Sequence, residues 1–381
     1  LALTLDRSLL AQPNLQLRST TALAGGASTV AKNGNYLYLC QSNQVRIVNV
    51  SNPSLPAVIG AFAGAHSPRT KRESLMALNR RELLALVPSA CATALSAAET
   101  APVIDTHTHF YDPTRPEGVP WPGKNDKTLY RKVLPSEFKT LVKPHGLTGT
   151  VVVEASPWLA DNDWLLKLAE SEPFLRGIVG RLTPGEEKFA EHVAKYAKNK
   201  LYRGIRINGN ELERNLSIVD FRKDLGRLMD AQLTLDVNGS PSMLPNIVKL
   251  ASAFPKLHIV VNHLANVPIN GKEPPELWQR DIEKLAAHEN VWCKISALVE
   301  GSGKSDGTAP KELAYYAPTL NVVWKHLGAK RLLYASNWPV SDKFASYATV
   351  FGLIEAFLKE KTVPEREAIF GRNALVAYRL S

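Results

Sequence analysis

Four side chains suited to polar catalysis or metal binding stand at the ends of apolar runs in this chain. Asp105-Thr106-His107-Thr108-His109 closes one run, His263 closes a second and Asn337 a third. Side chains alternate direction along a β-strand, so His107 and His109 leave the same face, two imidazoles side by side. That geometry can hold a metal ion. If His263 and Asn337 end strands at the same rim, four polar groups converge on one point, which is how a barrel builds a metal-assisted hydrolase.

The elements that must position these residues follow from periodicity. From Pro102 onward, β-like runs alternate with helix-like ones. Strands are predicted at 103–109, 149–155, 175–182, 203–208, 233–238, 258–263, 290–297 and 331–337. Amphipathic stretches fall at 160–172, 185–199, 216–231, 241–254, 273–289 and 310–327, with 343–360 and 364–378 after the last strand. Eight strands, most of them separated by one helix-length segment, predict an α/β fold closed as a (β/α)8 TIM barrel rather than an open doubly wound sheet. Runs such as Gly149-Thr150-Val151-Val152-Val153 and His258-Ile259-Val260-Val261 are continuously apolar, as strands buried on both faces are. No Gly-x-Gly-x-x-Gly turn follows the first strand and no Walker-type loop is present, which disfavours dinucleotide and P-loop nucleotide chemistry.

Chemistry in such barrels sits at the C-terminal ends of the strands. The predicted ends carry His107 and His109, Glu154, Arg181, Arg206 with Asn208, Asp236 with Asn238, His263, Lys294 with Ser296, and Asn337. Buried polar groups are costly unless paired, so packing alone does not call for that concentration at one rim. His258 begins its strand at the opposite rim and reads as a structural histidine.

Composition sets wide bounds. With 381 residues, 45% of them hydrophobic, the chain can bury one large core with length to spare. Lys+Arg of 46 against Asp+Glu of 36 leaves +10, but residues 1 to 75 hold seven basic residues (Arg7, Arg18, Lys32, Arg46, Arg69, Lys71, Arg72) against Asp6 and Glu73. Half the excess therefore precedes the histidine motif, and elsewhere the signs are interspersed, so nucleic acid is not the expected partner. Cys40, Cys91 and Cys293 are too few and too scattered for a disulfide framework or a thiolate site. No uninterrupted apolar run approaches the length that spans a bilayer. The expected partner is a small-molecule substrate, with no membrane association in a mature form; homo-oligomer formation is left open.

The first hundred residues read differently. Asn33 to Leu39, Gln44 to Val50 and Val58 to Gly60 are short β-rich runs separated by turn residues, which predicts two or three antiparallel strands. The segment resembles one repeat of a propeller-type β-repeat, present in a single copy, and one blade cannot bury its faces alone. Met76 then opens a second pattern: Arg80-Arg81, an apolar stretch to Ala98, and the small residues Ser96-Ala97-Ala98 before Glu99. A charged start, an apolar middle and a small-residue site are the parts of a secretory signal, and the paired arginines look like a twin-arginine one. The expected organisation is a β-rich extension over 1–75, a signal or linker over 76–100 and a barrel over 101–381. The enzyme is exported if Met76 is its start, and cytoplasmic otherwise.

Residues 101–381 resemble the metal-dependent hydrolases of the amidohydrolase superfamily, in the branch called amidohydrolase-2. The segments that carry the resemblance are Val103 to His109, Gly204-Ile205-Arg206, Val261-Asn262-His263-Leu264, Val291 to Ser296 and Tyr334 to Val340. Within that branch the chain looks like the sugar-lactone hydrolases, some of which use one divalent metal and some none. The resemblance implies a hydrolase opening a lactone or similar cyclic ester, with decarboxylation of an unsaturated acid as the competing chemistry on the same fold. It further implies one divalent metal, zinc first, on His107 and His109, with His263 as third ligand or as a proton-transfer group. Arg206 and Lys294 would stabilise an oxyanion or grip a carboxylate. Trp158 and Trp338 would wall the pocket, and Glu154 and Asp236 would contact substrate. A reading from another class makes the β segment a binding module beside an inactive barrel.

One position departs from the family pattern. Asn337 stands where the superfamily usually has an aspartate that binds metal and takes the proton from the attacking water. An amide cannot act as a base. Either Asp342, Asp236 or Glu154 supplies it, or the metal is weak, absent or structural. Arg206 and Asp236 occupy the strands that would furnish a second metal's ligands, so a binuclear centre is not expected.

Overall fold

The computed structural model describes residues 29–33, 36–41, 44–49, 57–63 and 101–380. The chain divides into two units, Leu1–Ala94 and Leu95–Ser381. In the first, β1 (Thr29–Asn33), β2 (Tyr36–Gln41), β3 (Gln44–Asn49) and β4 (Ala57–Ala63) form an antiparallel sheet in sequence order. Sequence predicted two or three strands there and missed β1. The signal-like segment after Met76 lies outside the described residues.

The second unit is an eight-stranded parallel sheet in strict sequence order: β5 (Ile104–Thr108), β6 (Gly149–Val153), β7 (Leu175–Gly180), β8 (Tyr202–Asn208), β9 (Thr234–Asn238), β10 (Ile259–Val261), β11 (Val291–Ile295) and β12 (Leu332–Tyr334). Five of these strands, β5, β6, β10, β11 and β12, are buried at every residue; β10 and β12 accordingly read as unbroken apolar runs, whereas β5 and β11 carry buried Asp105, His107 and Lys294. The last strand meets the first. Thr106 Oγ1 donates to the Tyr334 carbonyl at 2.7 Å, the Asn337 N–H to the His107 carbonyl at 3.0 Å and the His109 N–H to the Trp338 carbonyl at 2.9 Å. This is the (β/α)8 barrel that the sequence predicts.

Helices cover the outside through single apolar stripes. Val219–Asp230 buries Phe221, Asp224, Leu225 and Leu228, and Glu276–Leu285 buries Trp278, Asp281, Ile282 and Leu285, the three- and four-residue spacing of one helical face. The predicted helix at 364–378 is instead three short pieces, Val363–Glu367, a π-turn at Ala368–Arg372, and Asn373–Ala377. Gly371 explains the break, because its Cα lies against the Pro102 carbonyl that leads into β5, where a Cβ would collide with backbone.

Six of the eight predicted strands overrun the observed ones at their C-terminal ends, while those at 203–208 and 233–238 end with β8 and β9. Prediction gave 258–263 and 331–337; the ladder stops at Val261 and Tyr334. Past these points the backbone enters the left-handed region, with φ of 56°, 53°, 58° and 48° at His263, Leu264, Ala265 and Asn266, 52° at Ala297 and 62° at Asn337. Such values cost a non-glycine residue of order 1–2 kcal/mol each.

Two outcomes test this architecture. Gly371→Ala should destabilise the barrel by about 1–3 kcal/mol or more, the cost of overpacking against backbone, measured by denaturant unfolding; an unchanged midpoint would show that the segment at Pro102 can yield. Deleting residues 1–98 should leave the barrel's melting temperature nearly unchanged, since the second unit closes its own core. A fall of roughly 10 °C would mean that several kcal/mol of contacts had been removed.

Candidate active site

Three imidazoles meet at the C-terminal mouth of the barrel. His107 is the penultimate residue of β5 and His109 the first beyond it, while His263 lies two residues past β10. The His107 ring centroid is 4.9 Å from that of His109 and 4.3 Å from that of His263. Asn337, three residues past β12, lies within hydrogen-bonding reach of His109. The structure thus brings together the four positions from which the sequence argument starts.

Hydrogen bonds fix what each ring can do. His109 Nδ1 is 2.9 Å from the Val153 carbonyl, which only accepts, so Nδ1 carries the proton and Nε2 a lone pair. His263 Nδ1 is 2.7 Å from Ser296 Oγ. His107 Nδ1 lies 3.1 Å from the Lys294 ammonium, which in turn donates to Asp236 Oδ2 at 2.7 Å. An ammonium has no lone pair to offer, so His107 Nδ1 accepts and the proton of the neutral ring sits on Nε2. That Nε2 is buried without a partner. Burial is the main force keeping all three rings neutral. It holds His107 and His263 well below the ordinary imidazole range, with the Lys294 charge adding to it, and with Arg206 pulls His109 down to about 3.

Arg206, on β8, donates through Nε to Glu154 Oε1 at 2.9 Å and through Nη2 to the Glu154 carbonyl at 2.7 Å. Among the described residues nothing engages its Nη1. Glu154 Oε2 accepts from the Ser156 N–H at 2.7 Å, so both carboxylate oxygens are committed and Glu154 aims Arg206 rather than serving as a spare base. A cleft beside the histidines is lined by Tyr111, Trp121, Glu154, Ser156 and the exposed Trp158.

Three expectations change. Lys294 and Asp236 are both fully buried and spent on each other, with Tyr378 OH donating to Asp236 at 3.0 and 3.1 Å, so neither reaches a substrate. Trp338 does not wall the pocket: it is fully buried, its ring 5.0 Å from Phe138 and 6.1 Å from Phe110. The wall is Trp121, 5.9 Å from the His109 ring. Asp342 sits in the turn after Asn337, partly exposed, 3.8 Å from Arg131 and pushed up to about 6 by burial.

Sequence reasoning left two acids without a role. Asp105 shares the strand face of His107 and His109; it accepts the N–H groups of His107 at 3.1 Å and Ser336 at 3.0 Å and the Tyr347 hydroxyl at 3.2 Å, tying β5 to the loop that carries Asn337. Glu300 lies beyond β11 in the short helix Leu298–Gly301 and accepts from Asn337 Nδ2 at 2.9 Å. Its only signal in the sequence is a lone acid in an apolar run.

A divalent ion on the three histidines requires three lone pairs. His109 presents one, and His263 presents one where Ser296 accepts from Nδ1. His107 presents an N–H. Asn337 contributes no charge, Arg206 and Lys294 add positive field, and no three His, Cys, Asp or Glu side chains among the described residues lie at metal-site spacing. As hydrogen-bonded here, the donor set does not fit the single zinc that the resemblance implies.

Comparison with known proteins agrees with the fold. The amidohydrolase family matches residues 104–380, and an LVIVD repeat matches residues 24–63. An L-fucono-1,5-lactonase of Burkholderia ambifaria is 30% identical over 284 residues, 73% of this chain and 95% of that protein. A second, from Burkholderia multivorans, is 26% identical over 288 residues, 73% of this chain and 96% of that protein. The crystal structure of a Burkholderia multivorans amidohydrolase with bound zinc superposes with a TM-score of 0.66 at 25% identity, covering 74% of this chain and all of that one. With a family match over the whole barrel, histidines at its C-terminal mouth and a relative at this identity, the chain belongs to the amidohydrolase family.

Proposed function

We propose that this barrel opens the ring of a sugar-acid lactone by adding water to its carbonyl. The observation that carries the reading is the convergence of His107, His109, His263 and Arg206 at the mouth of a barrel that aligns with an L-fucono-1,5-lactonase over 95% of that protein. Hydrolysis of a cyclic ester puts negative charge on the carbonyl oxygen as water adds, then breaks the ring C–O bond. Donors aimed at that oxygen accelerate the step. Two are uncommitted here, the buried His107 Nε2–H and Arg206 Nη1. A neutral imidazole held in one tautomer can polarise a carbonyl, and the Lys294 ammonium holds His107 in that tautomer. Trp121, beside the His109 ring, and Trp158 line the narrow cleft that adjoins the site.

The expectation of one zinc ion sits at family level, where a relative binds it; the donor argument supports a reaction carried by the chain's own residues. For localisation, the Arg80-Arg81 segment supports export. Among the described residues no helix is long and apolar enough to cross a membrane.

Two measurements decide the reading. His107→Ala and Arg206→Ala should each lower kcat/KM on L-fucono-1,5-lactone by roughly 10²–10³-fold, the cost of one oxyanion donor, followed as acid release. A wild-type chain inert toward a panel of sugar lactones would end the proposal. Exhaustive treatment with a chelator should leave kcat/KM unchanged; loss that zinc alone restores would show that His107 gives up its Nε2 proton to a metal.

A further inference from the structure

We propose that Glu300 is the general base of this site, replacing the carboxylate that position 337 lacks. The proposal rests on the lactone-hydrolase reading. Water addition needs a proton acceptor, and the mouth of the barrel leaves few. Of the three imidazoles, His107 already carries a proton on its unbonded nitrogen, and His109 and His263 have Nδ1 engaged by the Val153 carbonyl and Ser296 Oγ. Asp105, Glu154 and Asp236 each have both carboxylate oxygens engaged. Asp342 is partly exposed toward Arg131. Glu211, just past β8, also has Oε1 buried without a partner, but its Oε2 is taken by Arg181 and not by one of the converging side chains. Glu300 differs from all of these. Its Oε1 accepts from Asn337 Nδ2 at 2.9 Å, while its Oε2 is buried and has no partner.

The bond to Asn337 also orients the amide. A carboxylate only accepts, so Nδ2 must face Glu300 and Oδ1 must face away. Among the described residues Glu300 is thereby the one carboxylate bonded to the Asn337 side chain, and its second oxygen is unengaged. Burial is the main reason its carboxyl is pushed up to about 7, with the Asn337 bond opposing the shift and the Asp342 charge adding to it. A base poised near the working pH serves proton transfer best. The charged and titratable groups that face it are Asp342 from the turn after β12 and Tyr316 from the helix Leu313–Leu327.

The step balances without a further reactant. The water O–H bond breaks as its oxygen bonds to the carbonyl carbon; the proton passes to Glu300 Oε2 and the carbonyl π pair becomes the oxyanion. On collapse the C=O re-forms, the ring C–O bond breaks, and the proton on Glu300 goes to the departing ring oxygen. The product is the open hydroxy acid, and Glu300 is again a carboxylate.

Glu300→Gln is the central test, because its side-chain carbonyl still accepts from Asn337 Nδ2 but cannot take a proton. Its kcat should fall by about 10²–10⁴-fold, and the acidic limb of kcat/KM, which the wild type should show as pH falls through about 7, should vanish. A role confined to positioning Asn337 would leave both nearly intact, and that result overturns the proposal, as does an acidic limb removed by Asp342→Asn and not by Glu300→Gln. Should Glu300→Gln melt early, the double variant N337D/E300Q moves the carboxylate across the same hydrogen bond and should recover rate over the Glu300→Gln single variant; no recovery counts against the base. Difference infrared spectra of the wild type need no substrate and should show a protonated carboxyl titrating near neutrality that Glu300→Gln removes. Absence of that band overturns the proposal. Its presence in a chain that turns over no lactone condemns the substrate reading alone.

Discussion

The buried pair of Lys294 and Asp236 governs this site. Two opposite charges at 2.7 Å with no solvent exposure must be paired, and even then their attraction only roughly offsets several kcal/mol of desolvation per ion. Stability is therefore a poor account of why the pair lies inside the barrel. Its effect is on His107. An ammonium against Nδ1 sets the tautomer and leaves the ring proton on the buried Nε2. Tyr378 completes the arrangement from the last helical segment of the chain, bonding Asp236. Burial keeps the neighbouring imidazoles neutral, with the Lys294 and Arg206 charges adding to it, and neutral imidazoles donate or polarise rather than repel a cationic partner such as Arg206.

Barrel closure and site assembly use the same atoms. Where β5 meets the segment after β12, the backbone groups of His107, His109, Asn337 and Trp338 form the seam. Asp105 bonds the N–H of His107 and of Ser336 from below. A shift of one residue in that register would send both histidines to other faces. The left-handed turns at His263 and Asn337 then follow strands that have already ended, so the local backbone strain sits where function needs it.

The parts of this design that were legible in sequence are those with a period or a short spacing. Eight apolar runs gave eight strands, and His107 with His109 could be placed on one face because they lie two residues apart. Strand ends could not be read, since Leu264, Ala265 and Ala297 adopt positive φ against their own preference and nothing in their type announces it. Partnerships across the barrel were equally hidden: Asp236 and Lys294 are 58 residues apart, Asp236 and Tyr378 142. Charge on a strand end reads the same whether it faces substrate or another strand. The burial of Trp338 is hidden for a related reason. It directly follows Asn337, but the turn at Asn337 sends its ring into the aromatic packing of Phe110 and Phe138.

Asparagine at 337 and glutamate at 300 are best understood as one choice. An aspartate at 337, the usual residue in the superfamily that this chain resembles, would set a second carboxylate against Glu300 at the 2.9 Å now spanned by an N–H···O bond. Two carboxylates that close cannot both ionise, and one would hold a proton at neutral pH. The amide removes the conflict by turning a repulsive contact into a donor–acceptor one. It also tolerates the left-handed backbone at this position, which asparagine adopts more readily than most residues. The substitution that seems at first to delete a catalytic carboxylate thus leaves one carboxylate in place, one residue farther along a hydrogen bond, with its second oxygen unengaged.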